Sequence, residues 1–175
     1  MRFLTDIQLL LIALWLGAAC FFSFAVAPGA FGVLPSREAA GLMVNRTLLI
    51  VNISGMVIGA ILLLISFFVL KGENKIRVWS ERILLAIMIA ACAVGQFVIG
   101  TWLSYVKMQM GKPIDEVALE DPLRIQFNQL HEYSVWILVT AMISALIIFF
   151  LIGRKSAVKA VETKKDPYDF SDLIH

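Results

Sequence analysis

The stretch TLLIVNISGMVIGAILLLISFFVL, from Thr47 to Leu70, holds no charged residue and only a few polar ones. A helix needs about 20 apolar residues to cross the hydrocarbon core of a bilayer, and this stretch is long enough. Outward from it, charge is also absent from Ile7 to Ser36, from Ile83 to Val106 and from Tyr133 to Gly153. One such run could be a buried core helix, but four in a chain of 175 residues predict a membrane protein. Composition agrees: 60% of residues are hydrophobic, 16% are charged, and the mean hydropathy is +0.86. A soluble domain would need more polar residues to cover its surface.

The expected fold is all-α, an integral membrane four-helix bundle in a single domain over 1–153, with spans at about 7–27, 44–70, 83–106 and 132–152. Pro28-Gly29 is a good terminator for the first span, Ser36 a good N-cap ahead of the second, and Lys71-Gly72-Glu73-Asn74 a turn. Asp121-Pro122 pairs an N-cap with proline at the first helical position, so the last helix is expected to start well before its apolar core. The polar tail over 154–175 is expected to be flexible. The first span, with Arg2 before it and Ala25-Val26-Ala27 at its end, has the outline of a signal peptide. Asp6, the length of the apolar run and Pro28 after the cleavage point speak for its retention.

Every loop is short, so the positive-inside rule applies. Arg2, Lys71, Lys75, Arg77, Arg82, Arg154, Lys155, Lys159, Lys164 and Lys165 flank one side; only Arg37, Arg46, Lys107, Lys112 and Arg124 flank the other. Both termini are therefore expected in the cytoplasm and the chain in the cytoplasmic (inner) membrane. Basic residues spent beside span ends form no stripe for nucleic acid. Cys20 and Cys92 lie in apolar spans at different depths, which opposes a bridge.

Lipid solvates leucine as well as a neighbouring helix does, so buried faces are marked by small and polar residues. Gly17 with Ala13 and Cys20 on the first span, Gly55 and Gly59 with Asn52 and Asn45 on the second, and Gly100 with Cys92 and Gln96 on the third are expected to pack inward. Phe127, Leu130, His131 and Ser134 form one stripe on the fourth. The polar members gather in the half of the bundle assigned outside, and the other half reads as nearly apolar. From this follows a polar vestibule lined by Arg46, Asn52, Gln96, His131, Glu132 and Ser134, with Arg46 and Glu132 paired at its rim. Plain helix packing explains the same residues if each side-chain bond contributes about 0.6 kcal/mol.

Met108, Met110 and His131 fall on the same side of the membrane, and thioethers with an imidazole suit Cu(I), a weak pattern in a chain with seven methionines. A haem held by two histidines is excluded, because His175 lies in the tail. The chain has no zinc-protease motif, nucleophile elbow or phosphate-binding glycine loop, so no catalysis and no cofactor are expected.

Trp15-Leu16-Gly17-Ala18-Ala19 with Phe21, Phe22 and Ala27-Pro28, then Phe31 and Leu34 to Gly41, and finally Phe127 to Ser134, resemble the transmembrane-protein-205-like family of small membrane proteins. The resemblance covers about a third of the chain, lacks a signature in the third span, and implies a four-helix membrane domain without assigned activity or catalytic residues. Three readings result. The chain binds or passes a small solute or ion through the vestibule; or it is a membrane assembly or scaffold subunit docking a second copy or another membrane protein through its GxxxG face; or it handles copper. The expected surroundings are the lipid bilayer.

Overall fold

The computed structural model describes residues 2–69 and 75–162, with residues 2, 68, 69 and 154–162 as backbone alone. All regular structure among them is helical. Four helical spans, Phe3–Val33, Arg37–Phe67, Lys75–Met110 and Pro122–Gly153, are long and apolar enough to cross a membrane. The expected turn over 71–74 and the tail from 163 onward lie outside the described residues.

The first span consists of α1 (Arg2–Phe21), a π turn (Phe22–Val26) and α2 (Ala27–Val33). Pro28 therefore does not end it. Proline lacks an N–H and its ring collides with the carbonyl four residues back, here Phe24. Phe24 sits inside the π turn, where the wider bonding pattern moves that carbonyl aside. The helix stops instead at Leu34, whose extended backbone (φ −78°, ψ 145°) suits the residue before Pro35.

The second span is unbroken, α3 (Arg37–Val69), and the Ala39 N–H donates to Ser36 Oγ at its start (3.1 Å). The third repeats the pattern of the first: α4 (Lys75–Ala93), a π turn (Val94–Ile99) and α5 (Gly100–Met110), closed by Gly111 in the left-handed region at φ 61°. A short 3-10 helix (Ile114–Glu116) lies in the loop that follows. The fourth span, α6 (Pro122–Glu162), begins with the Leu123 N–H donating to Asp121 Oδ1 (2.8 Å). It passes the expected boundary at Gly153, since Arg154 to Glu162 contains no glycine or proline to stop it.

The spans form a ring in chain order. α3 packs on α1 and α4, and α6 packs on α1, α4 and α5. The core of the half nearer the chain ends holds Ile12, Trp15, Leu62, Leu85, Met88, Ala141, Ala145 and Ile148. Here the GxxxG pair is used inside the chain. A Cβ on Gly55 would stand 2.7 Å from both Cys92 Sγ and Trp15 Nε1, and one on Gly59 would stand 2.7 Å from Ile89 Cγ1. That close approach lets the Trp15 indole donate to the Val51 carbonyl at 2.9 Å, tying the first span to the second. Gly17, expected on a packing face, is exposed with open space around it; the inward side of α1 is Gln8, Ile12, Trp15 and Ala19. Cys20 and Cys92 are both free.

The half near the chain ends is less apolar than its sequence suggests. Thr5, Gln8, Ser66, Glu81 and Ser144 are buried. Arg82 Nε donates to Ser66 Oγ (3.2 Å), Arg82 Nη2 to the Ser66 carbonyl (3.1 Å), and its guanidinium lies 4.1 Å from the centre of the Phe67 ring. Arg77 donates to the Leu151 carbonyl. Helix α4 starts at Lys75, ahead of the charge-free run from Ile83, so Arg77 and Arg82 lie in its first turns and reach neighbouring spans.

Candidate functional site

At the loop end the ring opens. α2 stays on α3 and α5 stays on α6, but no extensive contact joins α2 to α6 or α3 to α5. The parting begins at the level of the π turns. Each adds a residue to a helical turn and so redirects the segment above it. Gly95, in the second π turn, marks the floor. A Cβ there would touch Ile137 Cγ2 at 3.4 Å and the Asn52 carboxamide at 3.6 Å, so glycine allows the second and fourth spans to close beneath the opening.

Above this floor lies a cavity of about 580 Å³, in the range of small-molecule sites. Its wall is mainly apolar: Phe31, Leu42, Val44, Leu48, Leu103, Met110 and Phe127. Hydrogen-bonding side chains enter from three spans, with Asn45 on the second, Gln96 and Ser104 on the third, and Asn128, His131 and Ser134 on the fourth. Asn52 lies below, 4% exposed. Neither its carboxamide nor that of Gln96 is hydrogen-bonded to a neighbour among the described residues. Among the described residues no buried side-chain nitrogen or oxygen lacks a hydrogen-bond partner, so these two carboxamides are open to the cavity and free to bond a polar guest.

The rim is charged but balanced. Lys107 Nζ meets Glu38 Oε1 at 3.1 Å across the gap between α5 and α3. Arg37 Nε meets Asp115 Oδ1 at 3.5 Å, which fastens the 3-10 helix to the start of α3, and Ile114 from that helix forms part of the cavity wall. Arg124 donates to the Val117 carbonyl and holds the rest of the loop.

Of the residues expected to line a vestibule, Gln96, His131 and Ser134 come together here, with Asn52 at the floor. Arg46 and Glu132 do not. Each lies one residue, about 100° of helix rotation, past a lining residue (Asn45 and His131), and both side chains are exposed. The ion pairs at this end are those of Arg37 and Lys107 instead. Met108 and Met110 both line the cavity, as does Gly100. Among the described residues no group of three or more His, Cys, Asp or Glu side chains could hold a metal. The pairing of Glu38 with Lys107 joins residues 69 positions apart, a relation no local spacing announces.

No curated protein and no solved structure matches the chain. One family model does, over residues 10–112, taking in most of the first span, all of the second and third and both π turns, and ending before the fourth span. The match includes the third span, which carries no recognisable motif of its own. The chain belongs to the family described as a domain of unknown function (DUF4149).

Proposed function

We propose that this protein is a non-enzymatic, multi-pass membrane protein that binds a small amphipathic molecule in the cavity between its two helix pairs. The observation that carries the reading is the cavity's make-up: an apolar wall into which hydrogen-bonding side chains converge from three spans, with the carboxamides of Gln96 and Asn52 toward its base. Binding is favoured over passage because the other half of the bundle is filled by Trp15, Leu62, Leu85 and Met88, each at most 2% exposed. A scaffold role resting on Gly55 and Gly59 loses its support, since that face is occupied by Trp15, Ile89 and Cys92.

The excess of basic residues beside the chain ends favours a cytoplasmic location for both termini, and so an outward-facing cavity in the inner membrane. Kinship with the transmembrane-protein-205-like proteins is part of the same proposal. It draws on Phe127, His131 and Ser134, which the cavity brings together.

Thiol chemistry tests the reading. In a Cys20→Ser/Cys92→Ala background, Gln96→Cys should react with a small water-soluble thiol reagent, and Met88→Cys on the same span should not. Equal inertness of both would refute a solvent-reachable cavity.

A further inference from the structure

We infer that the cavity's ligand is a membrane phospholipid with no net charge, which enters sideways from the bilayer; this rests on the binding reading above. The route follows from what closes the cavity and what does not. On the water side the loop forms a roof, with Ile114 against the cavity and Arg37 held to Asp115. Below, the close approach at Gly95 forms a floor. Between α3 and α5 there is a window, bounded below by the π turn and above by the Lys107–Glu38 pair. From Ile99 to Lys107 it rises about 12 Å at 1.5 Å per residue. Leu42 and Met108, 60% and 73% exposed, line the cavity from α3 and α5. Trp102 and Tyr105, also outward-facing, place this stretch of the third span at the depth where aromatic side chains meet lipid headgroups.

The lining is ordered like a phospholipid seen end on. Charged groups stand at the rim, hydrogen-bonding side chains below them, and apolar walls open toward the hydrocarbon. Arg37 and Lys107 suit a phosphate, Glu38 suits an ammonium, and the Asn45 carboxamide suits the glycerol esters. The rim's paired charges balance, so a head with matching opposite charges replaces both partners, whereas a purely anionic head would leave Glu38 opposed. The acyl chains of one leaflet reach about 15 Å, half the hydrocarbon thickness, and remain in the membrane beside Leu42 and Met108.

A photo-crosslinking experiment decides it. The full-length protein is reconstituted in vesicles of phosphatidylglycerol containing a trace of phosphatidylethanolamine with a diazirine high on one chain. Adducts should concentrate on residues 41–48 and 100–108, and excess unlabelled phosphatidylethanolamine should remove them while phosphatidylglycerol does not. Ser104→Trp, which fills the cavity, and Leu42→Trp, which blocks the window from an exposed position that cannot disturb the core, should each abolish the adducts. Adducts spread evenly over outward-facing residues such as Phe97 and Trp136, or surviving both substitutions, would overturn the proposal. So would equal competition by phosphatidylglycerol. If cavity adducts are missing while Gln96→Cys still reacts with the thiol reagent, lipid entry fails and the cavity reading stands; if Gln96→Cys is inert as well, both fail.

Discussion

Gly55 and Gly17 look alike in the sequence, each a glycine in an apolar helix, and the bundle treats them oppositely. Alanine at Gly55 would drive a methyl group to 2.7 Å from Cys92 Sγ and the Trp15 indole nitrogen, breaking the bond from that nitrogen to the Val51 carbonyl. Gly55→Ala should lower stability by about 1–3 kcal/mol, the usual range for overpacking. Gly17→Ala meets open space and should be neutral or gain up to about 1 kcal/mol from helix propensity. Thermal unfolding in a mild detergent reads both. The Gly55 spacing was legible because GxxxG marks a close helix approach. The inward face of α1 was not, because large side chains, Gln8, Ile12 and Trp15, form most of it. Arg82 gives the second residue-scale prediction. Its fork spans a hydroxyl, a carbonyl and an aromatic face, which lysine's point charge cannot match. Arg82→Lys should therefore destabilise nearly as much as Arg82→Ala, by about 1–2 kcal/mol in the same measurement.

Among the elements, the π turns do most to shape the cavity. A π turn holds one residue more than the α-helix needs, and one residue turns a helix by about 100°. Deleting Val98 should convert Val94–Ile99 to regular helix and swing α5 so that Lys107 no longer faces Glu38. Cysteines placed at 38 and 107 in a cysteine-free background should be joined by a long bifunctional thiol reagent in the parent and not in the deletion variant. Persistence of that crosslink would show that the π turn does not set α5's direction. Element existence was plain from hydropathy, and two caps, Ser36 and Asp121, were plain from residue type. The π turns were hidden. Pro28 signals a break but not its kind, because its lost hydrogen bond can be absorbed either by stopping the helix or by widening it. The sequence of Val94–Ile99 gives no comparable cue.

For the whole molecule, the charge-free runs disclosed four helices and the clustering of Gln96, His131 and Ser134 disclosed where the bundle opens. Hydropathy averages over a helix circumference, so they could not disclose the buried polar groups at the opposite end, Glu81 and Ser66 among them. Nor could spacing along one helix show that Arg46 and Glu132 turn away from the cavity, or that Lys107 and Glu38 close its upper edge. The central claim is that the four helices are packed tight in one half and parted around a cavity in the other. A nitroxide scan along the third span in reconstituted vesicles tests this most directly, through collision with a polar relaxation agent. Labels at Gln96, Gly100 and Ser104 should be reached by the agent, while those at Leu85, Met88 and Cys92, all at most 1% exposed, should be shielded. Uniform shielding along the whole span would contradict the account.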